Sequence, residues 1–154
     1  MPKIDIAKLP IDVRSTYPEP FTHVVAGRSR KRLGVAARLE QFGVNLTTLT
    51  PGAASALRHW HHNEDELVYV LEGELTLIED EGETLLKAGD AAGFKANVAN
   101  GHHLVNKSTR NAIYLEIGTR SSHERADYPD VDLVVVRDET GGRYTHKDGK
   151  PYPK

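Results

Sequence analysis

Short apolar runs with a two-residue period occupy the middle of the chain. Between residues 33 and 118, Gly, Pro or Asn separates these runs every eight to twelve residues. Alternation at this period places successive side chains on opposite faces of a strand, and frequent turns favour antiparallel pairing. The pattern therefore predicts an all-β protein, either a sandwich or a barrel. The clearest strand candidates are residues 44–49, 67–71, 75–78 and 112–117.

The two ends of the chain differ from this middle part. Four prolines fall within the first twenty residues, where they remove backbone donors and prevent a long helix or a central strand. We therefore expect residues 1–32 to form an N-terminal arm that leads into a first edge strand. Residues 33–118 would form the barrel, and residues 119–154 a C-terminal extension packed on it. In that extension we expect a short helical turn within 121–126 and one strand within 131–136.

The composition fits a single soluble domain. The chain has 154 residues, with 20 basic and 22 acidic side chains that give a net charge of -2 and form no basic block. This distribution argues against nucleic-acid binding, and no run of apolar residues is long enough to cross a membrane. The first residues lack a secretory signal, so we expect a cytoplasmic protein. Because the chain has no cysteine, nitrogen and oxygen atoms must hold any metal.

Histidines are concentrated in two short segments of the sequence. His59 and His61 are two positions apart, so on a strand both side chains leave the same face. Glu66 opens the next apolar run and is the nearby carboxylate that we choose as a partner, whereas Glu64 and Asp65 are expected to face outward. Imidazole nitrogens and a carboxylate form a donor set that first-row divalent metals prefer. The alternative is that these histidines are surface side chains. Five of the 8 histidines lie in the two segments, at 59, 61, 62, 102 and 103.

The same residues resemble the motifs of the cupin superfamily. Gly52-x6-His59-x-His61-x4-Glu66-x6-Gly73 is similar to the first cupin motif, and Gly89-Asp90 followed by His102-x3-Asn106 is similar to the second. Lys95 and Asn97 stand where the family usually has Pro and Gly. The resemblance covers residues 33–118 and implies a small double-stranded β-helix, or jelly-roll, barrel. It also implies four metal ligands, which are His59, His61, Glu66 and His102.

This resemblance implies one divalent transition metal and a small-molecule ligand or substrate. Three imidazoles and one carboxylate leave coordination positions open, as in reactive rather than structural metal sites. Iron or manganese would suit dioxygenase or decarboxylase chemistry, and zinc, manganese or nickel would suit an isomerase or a lyase; copper also fits the donor set. The substrate would be oxygen-bearing or anionic. The alternatives are a sensor that binds a ligand without turnover and a metal-free structural barrel. The sequence identifies no catalytic base.

Side chains next to the two histidine segments have structural interpretations as well as functional ones. His62 and His103 are one position out of phase with the ligand candidates, so they should lie on the outer face or at the mouth, and Trp60 should face away from the metal. Arg58 and Lys95 either bring positive charge to the cavity or are solvated.

Further side chains are expected to serve packing and assembly. Tyr69 and Tyr114 are expected in the core, Phe94 in the core or a cavity wall, and Asn106 at a turn. The apolar residues of the N-terminal arm are expected to pair with the edge of a neighbouring barrel, which would make a homodimer.

Overall fold

A computed structural model describes residues 2–153 as strands connected by short turns. Helix is limited to the 3-10 helices Ile6–Lys8 and Thr22–Val25 and to α1, Leu33–Ala36. None of the helices in residues 2–153 has the length and hydropathy needed to cross a bilayer. The strands are β1 Arg28–Arg32, β2 Phe42–Leu49, β3 Trp60–His61, β4 Glu66–Glu72, β5 Glu74–Glu79, β6 Gly82–Lys87, β7 Ala91–Phe94, β8 His103–Val105, β9 Ala112–Thr119, β10 Glu124–Tyr128, β11 Leu133–Asp138 and β12 Gly141–Thr145.

The strands form three antiparallel sheets. The largest has the order β1-β2-β9-β4-β7, the second β12-β11-β10-β3 and the third β6-β5-β8. Strand β9 lies between β2 and β4, so the chain leaves this sheet and returns to it, as in a jelly roll. The predicted all-β jelly-roll barrel is confirmed.

Turn residues in the structure follow the sequence signals. Gly73 joins β4 to β5 with a φ of 76°, a backbone conformation that side chains with a Cβ rarely adopt. A Cβ at this position would also lie 2.7 Å from the carbonyl oxygen of Asn111. Glycine is therefore required here both by the backbone angle and by close packing.

Two hydrophobic cores stabilise the barrel. The first lies between the five-stranded and three-stranded sheets and includes the fully buried Leu49, Val70 and Leu75. The second joins the N-terminal arm to the four-stranded sheet, where the rings of Tyr17 and Tyr128 meet edge to face at 5.7 Å. The arm and the C-terminal extension are thus packed against one another.

The C-terminal extension contains more strand than the sequence predicted. The expected helical turn within 121–126 is wrong, because this segment enters β10, where Glu124, Ala126 and Tyr128 are buried at alternating positions. A helix would point these three side chains in different directions, so the two-residue period favours a strand. Strand β10 pairs with both β11 and β3. The strands β11 and β12 form a hairpin where a single strand was expected.

The N-terminal arm lies on the edge of its own barrel. Asp12 and Arg30 exchange two backbone hydrogen bonds, at 2.8 and 2.9 Å, so the arm pairs with β1 of the same chain at this position. The Asp12 carboxylate accepts hydrogen bonds from Arg14 and, at 2.7 Å, from Arg32. These bonds hold the pKa of Asp12 well below its ordinary value.

Candidate metal centre

The four predicted ligands come from three separate parts of the barrel. His61 ends β3, Glu66 begins β4, and His59 and His102 lie next to β3 and β8. His59 and His102 exchange backbone hydrogen bonds of 2.9 and 3.2 Å. This isolated bridge is the contact that brings the two histidine segments together.

Three imidazole rings converge on the carboxylate of Glu66. His102 Nε2 lies 2.9 Å from Glu66 Oε2, His59 Nε2 lies 3.6 Å from Oε1, and His61 Nε2 contacts Oε1. One donor atom each from His59, His61 and Glu66 falls within 4.8 Å of the other two. All four residues that the resemblance implied as ligands are therefore neighbours in space.

The ring nitrogens are prepared to bind a cation. The Nδ1 of His59 lies 2.7 Å from the carbonyl oxygen of Leu57, to which it donates, so the lone pair of Nε2 faces Glu66. Both ring nitrogens of His61 are buried without an aligned hydrogen-bond partner among residues 2–153. Because buried polar atoms are normally satisfied, these nitrogens suit a bound ion. The residues present therefore fit a divalent metal.

The electrostatics of the cluster favour an ionised carboxylate. Burial alone would raise the pKa of Glu66, but the close contacts with the imidazole rings of His102, His59 and His61 together place this pKa well below its ordinary value. Burial lowers the pKa of His102 and outweighs the attraction of Glu66. For His61, burial also acts to lower the pKa, but Glu66 and the acidic side chains nearby raise it overall. One anionic carboxylate and three imidazoles form a donor set that suits a divalent transition metal.

Comparisons with known proteins agree with this geometry. The family model described as "Cupin domain" matches residues 45–118. A Silicibacter pomeroyi protein, described as a sugar phosphate isomerase from a cupin superfamily, is 45% identical over 99% of this chain and 97% of that chain, with a TM-score of 0.95. The chain belongs to the cupin superfamily.

Two further similar structures differ in their sequence identity to this chain. An Acidithiobacillus ferrooxidans protein, described as a candidate sugar phosphate isomerase, is 31% identical over 82% of this cupin and 81% of that chain, with a TM-score of 0.74. The polyketide cyclase RemF from Streptomyces resistomycificus is 16% identical over 90% of this chain and 85% of that chain, with a TM-score of 0.64, and shares the fold alone. No match was found among curated proteins.

A cavity of about 220 Å³ adjoins the histidine cluster of this cupin. Gly118 of β9 pairs with Glu66, and Gly43 of β2 pairs with Gly118, so neither of these two neighbours places a side chain of its own beside the carboxylate. Phe94 stacks on the ring of His102, with 3.6 Å between the ring centroids and 2° between the ring planes. Phe94 therefore forms part of the cavity wall, which is one of the two positions predicted for it. The cavity is smaller than the roughly 300–1,000 Å³ of typical ligand pockets, so it suits a small molecule.

A second polar group, which the sequence did not indicate, lines the same cavity. Glu116 Oε1 lies 2.8 Å from Arg30 Nε and accepts a hydrogen bond of 2.9 Å from Asn45, while Oε2 accepts one of 3.2 Å from the Tyr114 hydroxyl. Burial, followed by the charge of Glu116, raises the pKa of Tyr114 well above its ordinary value, so this hydroxyl keeps its proton. The one sequence signal that could have revealed this polar group is Asn45, a polar residue at an inward position of a predicted strand.

Two charged residues lie elsewhere than expected. Glu64 was expected to face outward, but its side chain is 11% exposed and contacts Arg137, a residue of the C-terminal extension. Arg58 does not supply charge to the cavity, because Asp130 accepts two hydrogen bonds of 2.9 Å from it and Asp80 also contacts it. Both partners of Arg58 are distant in sequence, and local pattern does not reveal them.

The remaining neighbours largely follow the alternation of the strands. Trp60 stacks on His62 at 4.3 Å between ring centroids, and Nε2 of His62 lies 2.5 Å from Asp127. Tyr69 is 40% exposed, so its predicted place in the core is wrong. Asn97 adopts a φ of 63°, which asparagine tolerates better than most residues, and this explains how it replaces the usual cupin glycine.

His103 and two other predicted side chains have defined surroundings. His103 Nδ1 lies 2.7 Å from the carbonyl oxygen of Ala56, and burial lowers its pKa. Lys95 adjoins a groove beside Trp60 and His102. Asn106 is buried and holds its turn through both ends of its amide, as predicted.

Proposed function

We propose that this cupin is a metal-dependent isomerase that acts on a small sugar phosphate. The observation that supports this most is the pairing, in one cavity, of a histidine and carboxylate cluster with a second, separate carboxylate, Glu116. Aldose–ketose isomerisation moves one proton between neighbouring carbons and one between their oxygens, and it needs no oxidant or reductant. The names of the Silicibacter pomeroyi and Acidithiobacillus ferrooxidans proteins support the same substrate class.

The ligands of the metal would be His59, His61, Glu66 and His102. A divalent metal held there would act as a Lewis acid on the carbonyl and hydroxyl oxygens of the substrate. His59 is oriented for this role by the Leu57 carbonyl, and Phe94 fixes the plane of His102. Because Gly118 leaves room beside Glu66, the substrate oxygens would occupy the space over Gly118.

Glu116 is the group that we assign to proton transfer. Its Oε1 is held by Arg30 and Asn45, whereas Oε2 has only the 3.2 Å hydrogen bond from Tyr114. Oε2 is therefore the freer oxygen to accept a proton from the substrate carbon, and a carboxylate in this role needs to be positioned within hydrogen-bond reach. Tyr114 keeps Oε2 oriented between the two half-reactions.

Arg120 is the cation that we assign to the phosphate. Its guanidinium group lies over Gly43, where an added Cβ would be 2.8 Å from a terminal nitrogen, and it is one of the cavity residues. No acidic side chain in residues 2–153 forms an ion pair with it. A free guanidinium presents several donors in a fixed plane, which matches the geometry of phosphate oxygens.

The test combines metal analysis with a search for proton exchange. Protein purified without a metal-affinity tag would be analysed for metal content, and then incubated in D₂O with a panel of aldose and ketose phosphates. We expect about one metal per chain and, for one substrate, NMR-detected deuterium incorporation at the carbon next to the carbonyl. Glu116→Gln should keep the metal and lose exchange, while Glu66→Ala should lose both. A bound metal with tight sugar phosphate binding but no exchange across the panel would favour the sensor alternative.

A further inference from the structure

Strand β1 presents a row of arginines to the barrel interior. Residues 28, 30 and 32 pair with positions on β2 that include Leu49 and Thr47, and both of these are fully buried. Alternation along the strand places the three side chains on this inner face, although arginine is rarely buried unless an acid pairs with it. One of the three, Arg32, donates a hydrogen bond of 2.7 Å to the carboxylate of Asp12. The row consists of Arg28, Arg30 and Arg32.

Arg28 is a buried cation that is held by carbonyl oxygens. It is 8% exposed, and it donates hydrogen bonds of 2.7 and 3.2 Å to the carbonyl oxygens of Ser55 and Arg14. Within residues 2–153, the acid that acts on it most is Glu116, which pairs with Arg30 instead. Burial, followed by the charge of Arg30, lowers the pKa of Arg28. Carbonyl oxygens satisfy the donors of Arg28 without balancing its charge, and an uncompensated buried charge is costly.

Arg30 is one of the side chains that line the cavity beside the histidine cluster. Its Nε lies 2.8 Å from Glu116 Oε1, but the two atoms are not aligned as a hydrogen bond. Its terminal nitrogens donate to no acceptor in the part of the chain that the structure describes. Glu116 already accepts hydrogen bonds from Asn45 and Tyr114. One carboxylate is therefore shared among several donors, and the terminal nitrogens of Arg30 remain to bind a ligand.

Arg120 reaches the same part of the cavity from the end of β9. Its guanidinium group lies over Gly43, and Asn45, which pairs with Glu116, is two residues further along β2. Two residues of a strand span about 7 Å. Arg30 and Arg120 can therefore both reach a group that lies between them.

The charges of this region match a phosphate group. Three guanidinium groups, those of Arg28, Arg30 and Arg120, lie at this end of the cavity. Beside the carboxylate of Glu116 they leave an excess of two positive charges. A phosphate monoester carries a charge of about −1.5 to −2 at pH 7 and three strong acceptor oxygens. Guanidinium groups bind such oxygens through paired donors in a fixed plane.

We propose that Arg30 and Arg120 together clamp the phosphate group of the substrate. The identity of the substrate rests on the proposed function, but the anion site itself needs neither a metal nor turnover. Arg30 joins the phosphate to the proton-transfer group, because its Nε stays beside Glu116 while its terminal nitrogens hold the phosphate. Glu116 and the phosphate carry like charges and share Arg30, so the charge of Glu116 weakens phosphate binding.

Binding of inorganic phosphate to the metal-free protein tests this site directly. In isothermal titration calorimetry at low ionic strength, Arg30→Gln should bind phosphate about 10-fold or more weakly than the wild-type protein, because a charged donor is lost. Arg110→Gln is the matched control, since it removes one exposed arginine that is not among the cavity residues, and it should bind phosphate as the wild-type protein does. Circular dichroism and thermal unfolding would confirm that both variants fold.

Glu116→Gln should give a result of the opposite sign, which a misfolded variant would not produce. Neutralising this carboxylate removes a like charge and a competitor for Arg30, so phosphate should bind about 3-fold or more tightly. A phosphate affinity that is unchanged in Arg30→Gln, or weakened in Glu116→Gln, would overturn the site.

The anion site and the isomerase reaction can fail separately. Phosphate affinities that shift as expected, with no proton exchange for any sugar phosphate in the panel, would support the anion site and refute the reaction. Proton exchange whose KM for the sugar phosphate is unchanged in Arg30→Gln would overturn the site and leave the reaction in place.

Discussion

Glu124 connects the C-terminal extension to the histidine cluster, and its removal should affect both stability and metal binding. The side chain is 4% exposed, and Oε1 accepts hydrogen bonds of 3.0 Å from the His62 amide and 2.8 Å from the Arg125 amide. The amide of Asn63 adds weaker contacts of 3.3 and 3.4 Å. Glu124 therefore fixes the chain directly after His61, whose Nδ1 lies 3.8 Å from the same Oε1.

These contacts set the expected losses of stability and of metal affinity when Glu124 is replaced. Replacing Glu124 with alanine removes the side-chain acceptor of the Arg125 amide, whereas the His62 amide keeps a hydrogen bond of 2.9 Å to the Arg125 carbonyl oxygen. One unsatisfied group costs about 1–3 kcal/mol. We expect Glu124→Ala to lower the free energy of unfolding by roughly 2 kcal/mol and to weaken metal binding by about 10-fold or more, as for other groups that orient metal ligands. Glu124→Gln keeps one carbonyl oxygen, so it should retain more than half of the lost stability.

Urea unfolding and competition with a chelator measure the two effects separately. Unfolding would be followed by circular dichroism without added metal, and metal affinity would be measured at a urea concentration of zero, where both variants are folded. Arg125→Ala is a suitable control, because its half-exposed side chain pairs with Asp127 rather than with Glu124, and its amide stays in place. If Glu124→Ala binds metal as tightly as the wild-type protein, then the C-terminal extension does not position His61 and the reasoning fails.

Three further predictions concern stability. Leu75→Ala, at a fully buried position, should cost about 2–5 kcal/mol in urea unfolding, whereas the exposed Leu85→Ala should cost below about 0.5 kcal/mol; equal costs would contradict the assigned core. Asn106→Ala should lower the free energy of unfolding by about 2–4 kcal/mol, because the Leu49 carbonyl and the turn lose buried hydrogen bonds. An unchanged free energy of unfolding would contradict the role of Asn106 in the turn. Burial raises the pKa of Tyr17 to about 12 from 10.0, so the folded state holds this proton more tightly, and stability should fall as pH rises from 10 to 12. Tyr17→Phe should make this loss of stability between pH 10 and 12 smaller. An unchanged dependence of stability on pH would contradict the assignment to Tyr17.

Local pattern was sufficient for four of the strands that surround the ligand candidates. Residues 44–49, 67–71, 75–78 and 112–117 all lie in strands β2, β4, β5 and β9, because each combines a two-residue period with bounding turns. The spacing of His59 and His61 placed both rings on one side of β3, where the structure also has them. These features depend on neighbours a few residues apart, which a sequence displays directly.

Features that depend on distant partners were not predictable in the same way. Glu64 is buried because Arg137, in the C-terminal extension, reaches it, and Arg58 is held by Asp130. Each partner is more than seventy residues away in the sequence. Segment 121–126 has a helical cap signal, yet pairing with β3 and β11 makes it a strand. Tertiary pairing thus outweighs a weak local preference.

The segments outside the matched family region complete the candidate site from two directions. The family model covers residues 45–118, but Arg30 of β1 contacts Glu116 in the cavity, and Glu124 of β10 holds the chain beside His61. A barrel that contained the matched region alone would lack the ion pair between Arg30 and Glu116. It would also lack the buried carboxylate of Glu124 that accepts a hydrogen bond next to His61. The complete set of contacts around the candidate site therefore depends on segments on both sides of the matched region, and the barrel alone does not define this site.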